Sequence, residues 1–303
     1  MLERYLAEPG YEDVAIGAIA GDRRYVAGRG KADGASIFRI ASVSKVLTTL
    51  ALAHAVVHDE IALDAPAAEH LPDFRLPAWD GVPIRVEHLA THTSGLRDAR
   101  YPGDVGTRAS FAAGLERVTL ESRPGDEWRY CNTGVSLLAT LLGDDYADLV
   151  LHRVCEPLGM HDTVLALDAE QVLRLRPGHE EPDRPVPTPT LPLHAGSGGW
   201  YSTVYDMLLL LAAHLDDADP AITLVRQPRL ARDSTGAKMG LGWVIDPLPG
   251  TDTTVTWHNG SLAGYRSYVG FVPEARCAVA VLTNTSKSVD DIGHAVLSDL
   301  IAG

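Results

Sequence analysis

The sequence predicts an α+β protein in which one antiparallel sheet is assembled from both ends of the chain, flanked by helices, around a mostly helical middle. Two runs of strand character near the start, residues 14–20 and 24–28, carry the first part of that prediction. Four β-type runs from residue 240 onward, GLGWVID, TTVTWHN, YRSYVGFVP and CAVAVLTN, carry the second. Between them the apolar residues fall into helical stretches punctuated by Pro and Gly.

Taken in order, VAIGAIA at 14–20 and RYVAG at 24–28 flank a Gly-Asp turn, so a hairpin opens the fold. From Ser42 to about Asp59 the apolar residues come nearly all round, the pattern of a helix buried within the protein, with Ser42 at its N-terminus. Helical stretches follow at 84–91, about 109–118, 133–143 and 145–155, the last ended by EPLGM. Residues 176–192, RPGHEEPDRPVPTPTLP, are too rich in proline for regular structure and predict a surface loop. A helix at about 203–215 precedes the four strands, and VDDIGHAVLSDLIA closes the chain as a helix. The expected division is a sheet subdomain of residues 1–60 with 193–303, and a helical subdomain of 61–192.

Composition excludes several functions. With 26 Lys and Arg against 40 Asp and Glu the net charge is −14, and no basic stripe exists to bind nucleic acid or an anionic membrane. The segment MLERYLAEPGYEDVAIGAIAG carries acidic residues where an export signal would be basic, and the apolar stretch at 51–57 is broken by His54. Cys131, Cys155 and Cys277 are odd in number and lack metal-type spacing, which suits a reducing compartment. A cytoplasmic protein without cofactor or metal is expected.

Lys occurs only at 31, 45, 238 and 287, so nearly every other cation is Arg and Lys45 needs a reason. Ser42 and Lys45 lie three apart at the start of the buried helix, where positions i and i+3 share a face. A Ser hydroxyl is a poor nucleophile until a base takes its proton, and an amine does so only when its pKa is lowered. Arg cannot serve, because it does not deprotonate in proteins. The alternative reading is that Ser42 caps the helix and Lys45 snorkels outward.

Two further clusters follow in order. WRYCNTG puts Tyr130 and Asn132 just before a helix, and TWHNGSLAGYRSY puts His258, Asn259, Gly260 and Ser261 on a strand whose small residues allow close approach. In that order, Ser42-x-x-Lys45, Tyr130-x-Asn132 and His258-x-Gly260 resemble the motifs of the serine β-lactamase and penicillin-binding-protein superfamily. The second and third differ from the Ser-Asp-Asn and Lys-Thr-Gly forms, and match the branch of class C β-lactamases, D-Ala-D-Ala carboxypeptidases, D-aminopeptidases and family VIII esterases. HLATHTSGL at 88–96, EPLGMHDT at 156–163, AGSGGWYSTVYDM at 195–207 and GYRSYVGFVP extend the resemblance over most of the chain.

The resemblance implies the β-lactamase/transpeptidase-like fold, Ser42 as acylated nucleophile and Lys45 as its proton-accepting partner. It implies Tyr130 as general base in acylation and acid for the leaving group, as phenolate or sharing a proton with Lys45. Asn132 would orient the substrate amide or carbonyl, and the N–H groups of Ser42 and Ser261 would form the oxyanion hole. His258 stands where class C β-lactamases hold a Lys, and a neutral imidazole attracts a substrate carboxylate less. The implied protein is a serine hydrolase acting on an ester or amide of a small molecule or peptide. The alternatives are an acyltransferase using the same acyl-enzyme, or an idle homologue that only binds a ligand. Loops such as 97–108 and 176–199 shape the pocket, and nothing in the sequence bears on oligomeric state.

Other candidates have plainer readings. His88 and His92 lie at i and i+4 without a neighbouring Glu or an evident third ligand, so a turn supporting the cleft is expected rather than zinc. GSGG at 196–199 lacks the Lys-Ser/Thr of a phosphate loop and reads as close packing near the pocket. Cys131 reads as a buried bystander. Trp200, Tyr201 and Trp257 divide between pocket lining and core, and Arg266 between a substrate carboxylate and an ordinary ion pair.

Overall fold

The computed structural model describes residues 1–98, 107–181, 184–187 and 192–303. Most of the loop at 97–108, and residues 182–183 and 188–191 of the proline-rich stretch, lie outside the described residues.

The sheet is built from both chain ends. Strands β1 (Val14–Ala20) and β2 (Arg23–Arg29) form the opening hairpin. The later strands are β3 (Leu230–Ala231), β4 (Lys238–Met239), β5 (Val244–Pro247), β6 (Thr254–Leu262), β7 (Tyr265–Val272) and β8 (Cys277–Thr283). They pair in the order β2-β1-β8-β7-β6-β5-β4-β3. The termini join where β1 runs antiparallel to β8, with Val14 opposite Thr283 and Ala20 opposite Cys277. Because β1 is buried on both faces it reads as a continuous apolar run instead of an alternating one. Edge strand β2 carries Arg23, Arg24 and Arg29, and charge of this kind discourages pairing with another chain.

Helices cover both faces. Val14, Ile16 and Ala18 pack with Ile292, Val296 and Leu297 of the C-terminal helix Asp290–Ala302. Ala15 and Ile19 face the opposite way, into a larger core shared by helix α1 (Ser44–Val57) and the helix Val204–His214. Helix α1 is buried continuously from Ser44 to Ala53, which is why its apolar residues show no preferred side. It is enclosed by helix α2 (Asn132–Leu141), the segment Ala195–Gly199 and the helix Pro220–Arg226.

The departures from expectation are local. Ser42 sits in a 3₁₀ turn, Ala41–Val43, one step ahead of α1. The helix expected over 145–155 is α-helical only at Tyr146–Val150, then π-helical over Leu151–Cys155. The run GLGWVID forms a strand only at Val244–Pro247, because Gly242 takes φ 71° in a turn ahead of it. Strands β3 and β4, two residues each, carry no readable period. In the proline-rich stretch His179–Glu181 pairs with Arg184–Pro185, a two-stranded ribbon in which every position is at an edge and proline is tolerated.

Strand β6 passes directly against the turn that carries Ser42. The Ile40 carbonyl accepts a hydrogen bond from Ser267 Oγ at 2.7 Å, and a Cβ at Gly260 would overlap that carbonyl and the Ser267 hydroxyl. Gly260→Ala is therefore expected to cost about 1–3 kcal/mol of overpacking strain, read as a fall in Tm of several degrees. A thermal melt superimposable on that of the unaltered chain would contradict this packing.

Candidate active site

Ser42 and Lys45 point into one space. Lys45 Nζ lies 3.2 Å from Ser42 Oγ, 2.7 Å from Asn132 Oδ1 and 2.6 Å from the Ser197 carbonyl oxygen. Lys45 is wholly buried, and burial lowers its pKa from 10.5 to about 7, against the opposing charges of Asp98 and Cys131. A carbonyl and an amide oxygen can only accept, so the two N–H bonds of a neutral amine satisfy them both. The remaining direction, toward Ser42, is then the lone pair.

The orientation of Asn132 is fixed by its other end. Its Nδ2 donates to Asp98 Oδ2 at 2.6 Å, which leaves Oδ1 for Lys45. Asp98 Oδ1 also accepts from the N–H groups of Asn132 at 3.1 Å and Thr133 at 3.4 Å, at the N-terminus of α2 where a carboxylate is favoured. On the opposite wall Thr48 Oγ1 donates to the Gly196 carbonyl at 2.7 Å, and Trp200 N–H donates to Ser44 Oγ at 3.1 Å. These bonds hold the segment that offers the Ser197 carbonyl.

Tyr130 comes from an irregular stretch before α2, and its hydroxyl donates to Ser42 Oγ at 2.8 Å. Burial pushes the phenol well above its ordinary pKa, so it keeps its proton instead of standing as the phenolate that the resemblance allows. His258, on β6, has its ring centroid 6.4 Å from that of Tyr130. Its Nδ1 lies 2.6 Å from the Asn259 carbonyl, which can only accept, so Nδ1 carries the hydrogen and Nε2 keeps its lone pair. Burial, and then the charge of Lys45, hold His258 down to about 3, so the imidazole is neutral. Gly260 packs against the Ser42 turn, and Ser261 is exposed on β6 opposite Arg266.

A family model described as Beta-lactamase matches residues 1–302. The chain belongs to the beta-lactamase family. It is 29% identical over 280 residues to the D-alanyl-D-alanine-carboxypeptidase/endopeptidase AmpH of Escherichia coli K12, covering 83% of this chain and 71% of that protein. The crystal structure of a β-lactamase/D-alanine carboxypeptidase from Yersinia pestis, complexed with citrate, superposes with a TM-score of 0.84 at 26% identity, over 96% of this chain and 94% of that one. A class C β-lactamase mutant shares the fold, with a TM-score of 0.86 at 21% identity over 95% of this chain and 92% of its own. The fold is thus the β-lactamase/transpeptidase fold of the class C-like branch, and membership makes the chain a serine hydrolase.

Several other candidates turn out to serve the framework of this beta-lactamase-family fold. Cys131 caps α2, its Sγ accepting from Gly134 N–H at 3.4 Å, and burial raises its thiol to about 11. His88 Nδ1 accepts from Arg85 N–H, while His92 Nδ1 accepts from Cys131 N–H, so the two rings do separate work. Trp200 is fully buried against Tyr146, and Trp257 stacks on Tyr268 behind the sheet, so neither lines the cleft. Tyr201 lies under the Arg39 guanidinium. Arg266 donates to the carbonyls of Leu262 and Tyr265, closing its own hairpin. Among the described residues no cluster of three or more His, Cys, Asp or Glu is placed to hold a metal, and no helix is long and apolar enough to cross a membrane.

Sequence reasoning missed Asp98 and the Ser197 carbonyl. Asp98 had no signal beyond its place after HTSGL, and a backbone acceptor has none at all.

The lowered pKa of Lys45 makes stability depend on pH. Between about 7 and 10.5 the unfolded chain holds a proton that folded Lys45 has released, so stability rises with pH across that window. Below about 7 the cost of the buried charge is fully present. Urea melts should show the wild type gaining on the order of a few kcal/mol from this group between pH 7 and 10, and Lys45→Met lacking that gain. Equal pH slopes in both proteins would contradict the burial of a titrating amine.

Proposed function

We propose that this serine hydrolase forms an acyl-enzyme on Ser42 and cleaves an ester or amide of a small molecule or peptide, as an esterase or D-peptidase does. The observation that carries the reading is the coordination of Lys45 Nζ, whose two obligate acceptors leave a single direction, toward Ser42 Oγ. Neutral Lys45 takes the Ser42 proton as Oγ attacks the substrate carbonyl carbon, forming the C–O bond and becoming an ammonium. Tyr130, kept protonated by burial and seated 2.8 Å from Oγ, donates its proton to the departing oxygen or nitrogen as the bond to it breaks. The Lys45 proton then restores the phenol, and water attacking the acyl carbon reverses the sequence. In this reading the base is Lys45 and the acid is Tyr130.

Developing negative charge on the carbonyl oxygen would be met by the N–H groups of Ser42 and Ser261. The second Nδ2 hydrogen of Asn132 would orient the substrate carbonyl. Neutral His258 offers a substrate carboxylate no fixed positive charge, which favours esters and amides over penicillins. The likeness to a D-alanyl-D-alanine carboxypeptidase supports a D-configured amide among the substrates. Three buried cysteines without disulfides support a cytoplasmic setting.

Intact mass after exposure to a fluorophosphonate, and separately to a penicillin, tests the acyl-enzyme. A stoichiometric fluorophosphonate adduct that disappears in Ser42→Ala is expected, and no adduct from either reagent on folded protein would overturn the reading. For substrate class, p-nitrophenyl esters and D-amino-acid amides should turn over faster than nitrocefin. Nitrocefin as the best of the three would contradict the role given to His258.

A further inference from the structure

We propose that His92 is the positioning residue of Tyr130, fixing the phenol over Ser42 by accepting the N–H groups of the residues on both sides of it and stacking on its ring. The proposal rests on the acyl-enzyme reading, in which Tyr130 must stay within hydrogen-bond reach of Ser42 Oγ. Tyr130 lies in a stretch without regular secondary structure, so no ladder or helix of its own holds it. His92 supplies what is missing. Its carbonyl accepts the N–H of Arg129 at 2.8 Å, and its Nδ1 accepts the N–H of Cys131 at 3.2 Å. Its ring lies against that of Tyr130, with centroids 4.6 Å apart and planes inclined by 33°.

The local backbone is shaped for this task. The helix Val86–Ala90 ends at Thr91, and His92 takes φ 59°, a left-handed conformation that side-chain-bearing residues adopt uncommonly. Thr93 continues the seam, its carbonyl accepting Gly125 N–H at 2.8 Å. Trp128 meets the His92 ring edge-on, at 6.4 Å and 86°.

The bonds also fix the tautomer. A backbone N–H only donates, so Nδ1 is bare and the proton is on Nε2. That Nε2 is buried and has no hydrogen-bond partner among the described residues. Burial, then the nearby Lys45 and His258, keep the ring neutral by holding its pKa well below the ordinary value. An apolar ring would avoid the stranded N–H but lose the acceptor for Cys131. Asn would keep an acceptor and tolerate the left-handed backbone but lose the ring. Only an aromatic ring with an acceptor nitrogen meets both demands.

Two variants separate the demands: His92→Phe keeps the ring and His92→Asn keeps an acceptor. Fluorophosphonate labelling of Ser42, and kcat and KM for a p-nitrophenyl ester, are measured per folded molecule, alongside melts. Both variants should lose about a hundredfold in labelling rate and kcat with KM little changed, the scale expected when a reacting group is displaced by about 1 Å. Wild-type rates in both variants, or losses matching only the unfolded fraction, would overturn the proposal. The ¹⁵N-histidine spectrum of the wild type should show His92 as the Nε2–H tautomer, and the Tyr130 ring resonances should shift in both variants. If wild-type Ser42 proves unreactive, the acyl-enzyme reading fails by itself. The spectra still decide the positioning: an Nδ1–H tautomer, or unmoved Tyr130 resonances, would overturn it.

Discussion

Removing one amine from water is the constraint on which the cleft depends. Lys45 has no exposed surface, and an ammonium in such a place is costly unless its hydrogens are all bonded. The fold therefore brings an acceptor from each side, the Asn132 amide from α2 and the Ser197 carbonyl from the segment before Trp200. Each acceptor is held in turn. Asp98 grips the far end of Asn132, and Thr48 on α1 itself binds the Gly196 carbonyl. Ser136 of α2 reaches both His194 and Ser197, tying the two walls together. Helix α1 is buried continuously from Ser44 to Ala53, so its first turn, which carries Lys45, is kept dry.

Dryness then sorts the protons. It lowers Lys45 to about 7, raises Tyr130 and holds His258 neutral, so one group is poised to accept a proton and another to give one. The charge of Asp98 opposes the fall of the Lys45 pKa that burial causes. An Arg at position 45 would stay charged under the same burial, whereas a Lys there can release its proton near neutral pH.

Much of this was legible in the sequence because it rests on short-range rules. The Ser42–Lys45 spacing was readable from helix geometry, whereas Tyr130, Asn132 and His258 were joined to it by the resemblance of their ordered motifs to the family's. The all-round apolar run after Ser42 read correctly as a buried helix, and the strand runs at both ends read correctly as one sheet. What could not be read depends on distant segments meeting. Asp98 looks like any acidic loop residue until α2 arrives beside it, and the Ser197 acceptor is backbone. The π-helical stretch at Leu151–Cys155 and the two-residue strands β3 and β4 are set by packing at scales below any periodic signal. The protonated state of Tyr130 depends on burial, which the motif leaves open.

The most direct test is to titrate Lys45 itself. The chain has only Lys31, Lys45, Lys238 and Lys287, so selective ¹³C labelling of lysine gives a spectrum simple enough to follow each Cε, with Lys45→Met supplying the assignment. A Lys45 midpoint of about 7 is expected in the free enzyme. A midpoint near the ordinary 10.5 would leave Ser42 without its base and contradict the central claim.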